Sequence, residues 1–157
     1  VSISQCTVGK ITDYNISDMN NMGAAMAPAA ADTLLNFFKD TNTNQDDYDY
    51  IFTGDLGLVG KQLLITLMEK EGYDIKDKYN DCGCLIYSFE DKDIKSGASG
   101  CGCSALTLCT YVLPKLENGD YNKVLFMATG ALMSTTSSQQ GESIPSIAHL
   151  IVLNREE

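Results

Sequence analysis

Residues 48–72 read YDYIFTGDLGLVGKQLLITLMEKEG and decide the class of fold. The aromatic and β-branched run 48–53 predicts a short strand, which stops at the glycine-rich turn 54–57. Asp55 in that turn is predicted to cap a helix that ends at Gly72. This helix carries an apolar stripe at helical spacing, formed by Leu56, Val59, Leu63, Leu64, Leu67 and Met68. A strand followed at once by a helix predicts an α/β domain.

Similar patterns on both sides of this unit predict the remaining elements. One helix is predicted to begin at Pro28 and end before Thr41, and another to follow Ser104, kink at Pro114 and end at Gly119. Further strands are predicted over residues 2–11, 84–87, 123–128 and 147–153, with a polar loop over 134–143. The resulting order, β-α-β-α-β-α-β-β, predicts one domain over 1–157 with a mostly parallel sheet, in which the last two strands are antiparallel neighbours.

Charge and hydropathy exclude two classes of partner. The chain has 21 acidic and 11 basic side chains, which give a formal net charge of −10. A nucleic acid backbone or an anionic membrane surface would repel such a protein. No stretch of the sequence approaches the roughly 20 apolar residues of a membrane-spanning helix. We therefore expect no nucleic acid partner, and membrane attachment only through another protein or segment.

The six cysteines include two Cys-Gly-Cys triplets, at 82–84 and 101–103. Four thiolates could ligate zinc, and either triplet could form a redox pair. The one-residue gap argues against zinc, because it points the two thiols of an extended segment to opposite faces. We predict reduced and mostly buried cysteines, used where a glycine-rich turn packs against a helix start.

Two polar segments after predicted strands are candidates for ligand contacts. Residues 97–100 (GASG) precede a helix, where backbone N–H groups attract anions, although a purely structural turn is the alternative. Residues 134–140 (STTSSQQ) follow the fourth strand, at the sheet edge where ligands of open α/β sheets bind, although a flexible loop is the alternative. His149, the single histidine, lies within the fifth strand and is predicted to be a core or edge residue.

Four segments together resemble the C-terminal half of the stage V sporulation protein AD family: MGAAMAPAAADTL (22–34), FTGDLGLVG (52–60), SGASGCGCSA (96–105) and ATGALMSTTSSQQGESIPSIAHL (128–150). That family is similar to thiolases and ketoacyl synthases, which consist of two similar halves. Met22-Gly23 with Pro28-Ala29, and the run 96–100, resemble two thiolase patterns. The resemblance implies a thiolase-like half with a five-stranded mixed sheet, mostly parallel with the last strand antiparallel, and helices on both faces.

The departures from the thiolase patterns bear on catalysis. Ile94 and Lys95 stand where those enzymes have a catalytic histidine and a proline, and isoleucine cannot transfer a proton. Asp55 is the one ionisable candidate where the enzymes place a histidine or asparagine, and residues 127–129 replace a second cysteine. The acyl-accepting cysteine belongs to the other half, which the resemblance places outside this chain. We expect no enzymatic activity and no cofactor or bound metal of the domain itself.

The resemblance implies that this family handles dipicolinic acid, a small aromatic dicarboxylate of spores, together with calcium. The implied partners are dipicolinic acid, the protein's own N-terminal half, other stage V sporulation A proteins and a second copy in a homodimer. The implied location is the forespore or spore, in peripheral contact with the inner membrane, with roles in sporulation and germination. The predicted ligand-binding residues lie at strand ends: Gly54, Asp55, Gly97, Ser99, Ser134, Thr135, Thr136 and Ser137. Asp55 suits a dianion only where calcium bridges them.

Two alternatives remain open at the level of sequence. The chain could be half of an acyltransferase that retains unusual chemistry, with Asp55 as its base. It could also be a scaffold domain that only bridges subunits.

Overall fold

The computed structural model describes residues 1–156. Its strands are β1 (Ser2–Thr7), β2 (Tyr50–Thr53), β3 (Tyr79–Asp81), β4 (Lys123–Ala131) and β5 (Ser146–Asn154). Its α-helices are α1 (Met22–Thr41), α2 (Gly57–Lys70), α3 (Cys82–Ile86), α4 (Cys101–Thr107), α5 (Leu113–Asn118) and α6 (Thr135–Gln139). A π-helical turn, Leu108–Val112, joins α4 to α5.

The five strands form one sheet in the order β1-β5-β4-β2-β3. Strand β2 pairs in parallel with both β3 and β4, whereas β5 pairs antiparallel with both β1 and β4. Only β5 therefore runs against the common direction of the other described strands. The predicted five-stranded mixed sheet is confirmed, as is the antiparallel pairing of the last two strands.

Helices cover both faces of the sheet. Successive residues of a strand point to opposite sides, so neighbouring residues pack against different helical layers. Ile51 of β2 packs with Leu34 of α1 and Leu64 of α2 in one core. Its neighbour Phe52 packs with Leu116 of α5 in the other core. Ile51 and Phe52 are both fully buried, and burial of each such side chain stabilises the fold by about 1.5–3 kcal/mol. A strand between two helical layers is buried on both faces, which explains why adjacent residues of β2 are apolar.

Helix α1 begins at Met22 rather than at Pro28, so the predicted start was wrong. The side chain of Asn21 accepts a hydrogen bond from the Ala24 N–H and caps the helix at its true start. Ala27, directly before Pro28, is fully buried in the core. The cap and this burial offset the backbone hydrogen bond that Pro28 cannot donate.

The third strand was also misplaced by the sequence pattern. Strand β3 is Tyr79–Asp81, and the apolar residues 84–86 lie in α3 instead. The Asp81 side chain accepts a hydrogen bond from the Gly83 N–H at 3.0 Å, which starts a helix at Cys82. The Gly83 carbonyl also accepts a hydrogen bond from the Ala98 N–H, which holds the start of α3 against the loop before α4.

Both Cys-Gly-Cys triplets begin helices, so their thiols do not alternate across an extended segment. All six cysteines are free thiols. Cys82 and Cys103 are buried and Cys84 is half-buried, whereas Cys6, Cys101 and Cys109 are exposed. The prediction of mostly buried cysteines is therefore wrong for half of them.

Two further segments differ in detail from their predictions. The predicted helix after Ser104 is interrupted by the π-helical turn just before Pro114, and it ends at Gly119 in a left-handed conformation, φ 82°. Pro114 lacks the N–H that would continue the α-helical ladder, which accounts for the interruption. The predicted loop 134–143 contains the short helix α6, whose start is capped by Ser134.

Among residues 1–156, no helix combines the length and apolar character needed to cross a membrane.

We predict that Gly23→Ala destabilises the protein, because α1 and α2 touch at this glycine. A Cβ atom at Gly23 would lie 2.3 Å from the Leu56 carbonyl oxygen, so the two helices would have to separate. Overpacking of this kind costs about 1–3 kcal/mol, and it should lower the midpoint of thermal unfolding by several degrees. Gly102→Ala in α4 is the matched control, since its Cβ meets no atom within 4 Å. Equal midpoints for the two variants would contradict the close crossing.

Candidate functional site

The carboxyl ends of the parallel strands β2, β3 and β4 lie side by side at one edge of the sheet. Thr53, the last residue of β2, pairs with Met127 of β4 and with Asp81 of β3. The turn after β2 and Thr129 of β4 therefore lie side by side. This is the edge where ligands of open α/β sheets bind.

The buried carboxylate of Asp81 organises this edge through four hydrogen bonds. Its Oδ2 accepts from the Thr53 hydroxyl at 2.7 Å and from the Leu56 N–H at 2.8 Å. Its Oδ1 accepts from the Gly57 N–H at 2.9 Å and the Gly83 N–H at 3.0 Å. The start of α2 thus receives its side-chain acceptor from β3, because Leu56 at the cap position offers none. The prediction that Asp55 caps this helix is wrong.

Burial raises the pKa of Asp81 above its ordinary value, and the hydrogen bonds from Thr53, Leu56 and Gly57 oppose that rise only in part. The folded pKa therefore lies above the unfolded value. Protonation favours the folded state, and this contribution is lost as the pH rises through the folded pKa. Ionisation of a carboxyl group in the core is costly. Asp81 is tolerated there because its oxygens accept hydrogen bonds from four donors.

Asp55 does not cap α2 but connects three segments across the sheet edge. Its Oδ2 accepts from the Ser99 hydroxyl at 3.1 Å and the Gly100 N–H at 3.0 Å. Its Oδ1 accepts from the Thr129 hydroxyl at 3.1 Å, and that hydroxyl oxygen accepts from the Asp55 N–H. The loop before α4 and the end of β4 are thereby tied to the turn after β2.

Two glycines permit these close approaches. A Cβ at Gly54 would lie 2.7 Å from the Thr129 hydroxyl oxygen, so a side chain there would push Thr129 away. Gly97 has φ +106°, and a Cβ on it would lie 2.4 Å from the Gly83 carbonyl oxygen. Both positions therefore serve the geometry of the site through their lack of a side chain.

Two clefts open on either side of Asp55. The first, of about 160 Å³, lies between the start of α1, the start of α2 and the loop 96–99. The second, of about 470 Å³, lies between α1, the start of α4 and the end of β4. Met22, Asp55 and Ser99 line both clefts. The second cleft combines apolar walls with hydroxyl groups, and its lining also includes Met26, Ser104, Ala128, Thr129 and Ala131.

The structure brings half of the predicted site residues together. Asp55 and Ser99 line both clefts, Gly97 lines the first, and Gly54 lies buried beneath them. The other predicted residues, Ser134, Thr135, Thr136 and Ser137, line neither of these clefts. Ser134 and Ser137 instead bond to each other in an exposed capping box at the start of α6. A ligand contact by these four residues stays a prediction.

The prediction omitted several residues that the structure places at the site. Thr129 was identifiable as the polar residue at the carboxyl end of the fourth strand. Asp81 was missed because the third strand had been placed three residues beyond its true end. Nothing in the local sequence indicated Met22, Met26 or Ser104, which come from helices that only the tertiary fold brings to the cleft.

The buried thiols of Cys82 and Cys103 and the half-buried thiol of Cys84 are poor nucleophiles. Burial, reinforced by the nearby Asp81 carboxylate, raises the pKa of Cys82 to about 12 and that of Cys84 to about 12. Burial and Asp55 raise the pKa of Cys103 to about 11. These thiols stay protonated at neutral pH, whereas the thiolate is the form that attacks substrates or binds metals.

Other acid, base and metal-binding groups are sparse around the clefts. Within residues 1–156, no three His, Cys, Asp or Glu side chains are grouped so that they could hold a metal ion. His149 is an exposed residue of β5, and its Nδ1 accepts a hydrogen bond from the Gly9 N–H at 3.1 Å. The prediction of a core or edge histidine is wrong, because the side chain is exposed and β5 lies between β1 and β4.

Comparison with known proteins agrees with the resemblance inferred from the motifs. The family model for stage V sporulation protein AD (SpoVAD) matches residues 1–154. The curated stage V sporulation protein AD of Bacillus subtilis (strain 168) is 46% identical over 155 residues, which is 99% of this chain. The match covers 46% of that relative, so the chain spans about half the length of the curated relative. Both matches include all the segments that form the two clefts.

We predict that Asp81→Asn lowers the free energy of unfolding by about 2 kcal/mol or more. An asparagine presents one acceptor oxygen and an NH₂ group, so at least one buried N–H donor loses its partner, and each such loss costs about 1–3 kcal/mol. Urea unfolding would measure the change. Asp46→Asn is the control, because its side chain is 73% exposed and its contacts, an ion pair with Lys78 and a hydrogen bond from Gln45, lie at the surface. A wild-type midpoint for Asp81→Asn would refute the central role of this carboxylate.

Proposed function

This chain belongs to the stage V sporulation protein AD family of sporulation proteins, and we propose that it is a non-catalytic domain that binds dipicolinic acid, with or without calcium. Binding serves the uptake of the ligand into the spore or its release during germination. The observation that carries the proposal is the pair of clefts around Asp55, where hydroxyl and backbone groups converge beside apolar walls.

The side chains that line the second cleft suit a small aromatic dicarboxylate. The Ser104 hydroxyl on its polar side can donate to a carboxylate oxygen, whereas the Ser99 and Thr129 hydroxyls donate to Asp55. Met22 and Met26 line its apolar side, where thioether groups make favourable contacts with aromatic rings. A volume of about 470 Å³ lies within the range of small-molecule sites.

The exposed Cys101 thiol lines the second cleft, but among residues 1–156 no histidine lines either cleft, and this supports a role without catalysis. A Claisen-type reaction needs a thiolate nucleophile and positioned acid and base groups. The buried thiols beside the clefts have raised pKa values, and Ile94 stands at the position of the thiolase histidine. The carboxylate oxygens of Asp55 already accept hydrogen bonds from three donors, which weakens the case for Asp55 as the base of an acyltransferase.

We expect the N-terminal half of the full-length protein to complete the site. The curated relative is about twice as long as this chain, and we propose that its N-terminal half packs against the exposed apolar surface of this one. Several large apolar side chains are open to solvent, including Val8 at 82%, Ile11 at 70% and Leu132 at 75%. The whole protein, as a homodimer together with other stage V sporulation A proteins, would then act at the spore inner membrane as a peripheral component.

A scaffold that only bridges subunits is the second candidate function. The same exposed apolar side chains favour it, since large apolar patches mark interaction surfaces. It differs from the first candidate in requiring no ligand.

Calorimetric titration of dipicolinate, with and without calcium, would test the proposed function on this chain and on the full-length protein. We expect heat of binding from the full-length protein, and none or less from this chain alone, because the pocket would lie between the halves. Isophthalate is the matched control ligand, since it keeps both carboxylates but lacks the ring nitrogen that completes metal chelation. Binding by neither protein form under any of these conditions would favour the scaffold.

We predict that Ser104→Ala in the full-length protein weakens dipicolinate binding about twofold to tenfold. The substitution removes one hydroxyl donor from the second cleft, and a hydrogen bond contributes about 0.5–1.5 kcal/mol. Ser138→Ala in α6 serves as the control, because this residue lines neither cleft. If both variants bind like the wild type, the ligand does not occupy the second cleft.

A further inference from the structure

The two edge strands of the sheet differ in how far the rest of the chain covers them. Strand β3 forms one edge, has three residues and is largely buried, and the charged run 76–78 leads into it. Strand β1 forms the other edge over six residues, and residues 3–6 are exposed to solvent. Neither helical layer therefore covers β1. An uncovered edge strand presents backbone N–H and C=O groups with which another strand can pair.

The exposed edge carries no charge that would oppose pairing with a second copy. Residues 1–9 include no charged side chain and no proline, which are the residues that commonly blunt edge strands. Residues 146–154, which form the neighbouring strand β5, include no Asp, Glu, Lys or Arg. The whole chain has a formal net charge of −10, so a contact between two copies is favoured where acidic side chains are absent. The edge at β1 is such a surface.

A β-bulge at Ser4 makes one face of β1 self-complementary. In the pairing with β5, Ile3 lies opposite Leu153 and Cys6 lies opposite Ile151, with a shift in register between them. Leu153 and Ile151 both contact the core beneath α5. Ile3 and Cys6 therefore project on the same side of the sheet, although they are three residues apart. Ile3 is 62% exposed, so this side of the strand is open to a partner.

Antiparallel pairing of two copies of β1 brings these side chains together. About a two-fold axis between Ser4 and Gln5, the Ile3 side chain of each copy lies opposite Cys6 of the other copy. Directly opposed residues of antiparallel strands have Cα atoms about 4.5–5.5 Å apart, so the two apolar side chains touch. A two-fold contact uses the same patch twice, so each copy supplies the strand that the other lacks.

We propose that the exposed edge of β1 is the contact between two copies of the protein, and that their two sheets join there into one continuous sheet. The inference deepens the homodimer of the proposed function by naming its interface. Ligand binding in the clefts does not depend on it.

Sedimentation equilibrium of the full-length protein would measure dimerisation, and Ile3→Lys would test the interface. We expect this substitution to raise the dissociation constant of the dimer about tenfold or more, because each copy loses an apolar cross-strand contact and gains a charge at the joined edge. Leu58→Lys is the matched control, since Leu58 is an exposed apolar residue (39%) of α2. A monomeric wild type, or equal dissociation constants for the two variants, would overturn the proposal. Dipicolinate binding by a monomeric wild type would still leave the proposed function in place.

Disulfide trapping decides the matter if Ile3→Lys fails to fold. Ile3→Cys is a milder change, and it would place thiols of different copies at opposed positions, within the Cα separation of about 4.4–6.8 Å that a disulfide allows. Oxidised glutathione would serve as the oxidant, and each disulfide formed between two protein thiols releases two molecules of reduced glutathione. We expect a covalent dimer on non-reducing electrophoresis from Ile3→Cys, and none when Cys6→Ser is added. No covalent dimer from folded Ile3→Cys, or one that persists with Cys6→Ser, would contradict the pairing of β1 with its copy.

Discussion

The carboxylate of Asp81, buried among four donors, is the interaction on which the functional edge of this domain depends. It joins the end of β3 to Thr53 at the end of β2 and to the first N–H groups of α2 and α3. Of these elements, the start of α2 also lines the first cleft, through Leu56, Gly57 and Val59. An unpaired carboxylate would be too costly to bury, so each donor must keep its place, and the elements that carry the donors keep theirs.

Asp55 and Asp81 are both acidic residues at the ends of neighbouring strands, yet their surroundings give them different roles. Asp81 is fully buried, and its raised pKa reflects the cost of ionisation in the core. Asp55 lies at the surface between two clefts, where its donors come from the segment that leads into α4 and from Thr129 of β4. The first carboxylate therefore maintains the architecture, and the second places a charged side chain in the lining of both clefts.

Much of the architecture follows from local patterns. Strand β2 and helix α2 were predicted because the run 50–53 is apolar throughout and the next residues repeat at helical spacing. Asp55 and Ser99 were identified because they follow predicted strands or precede a predicted helix. Strand β3 was missed because its three residues carry little apolar signal, while the apolar residues 84–86 beyond it imitate a strand. The start of α1 was missed because Pro28 is a stronger local signal than the cap at Asn21.

The sequence alone determined the α/β class, the five strands of a mixed sheet and the membership of a sporulation family. These properties are carried by residue types and short spacings, which act within one turn or one strand. Only the tertiary structure decided that Asp81 rather than Asp55 serves the start of α2, and that Met22, Ser104 and Thr129 share a cleft. The reason is that these contacts join residues far apart in the chain, and their partners are chosen by strand order and helix packing rather than by any local pattern.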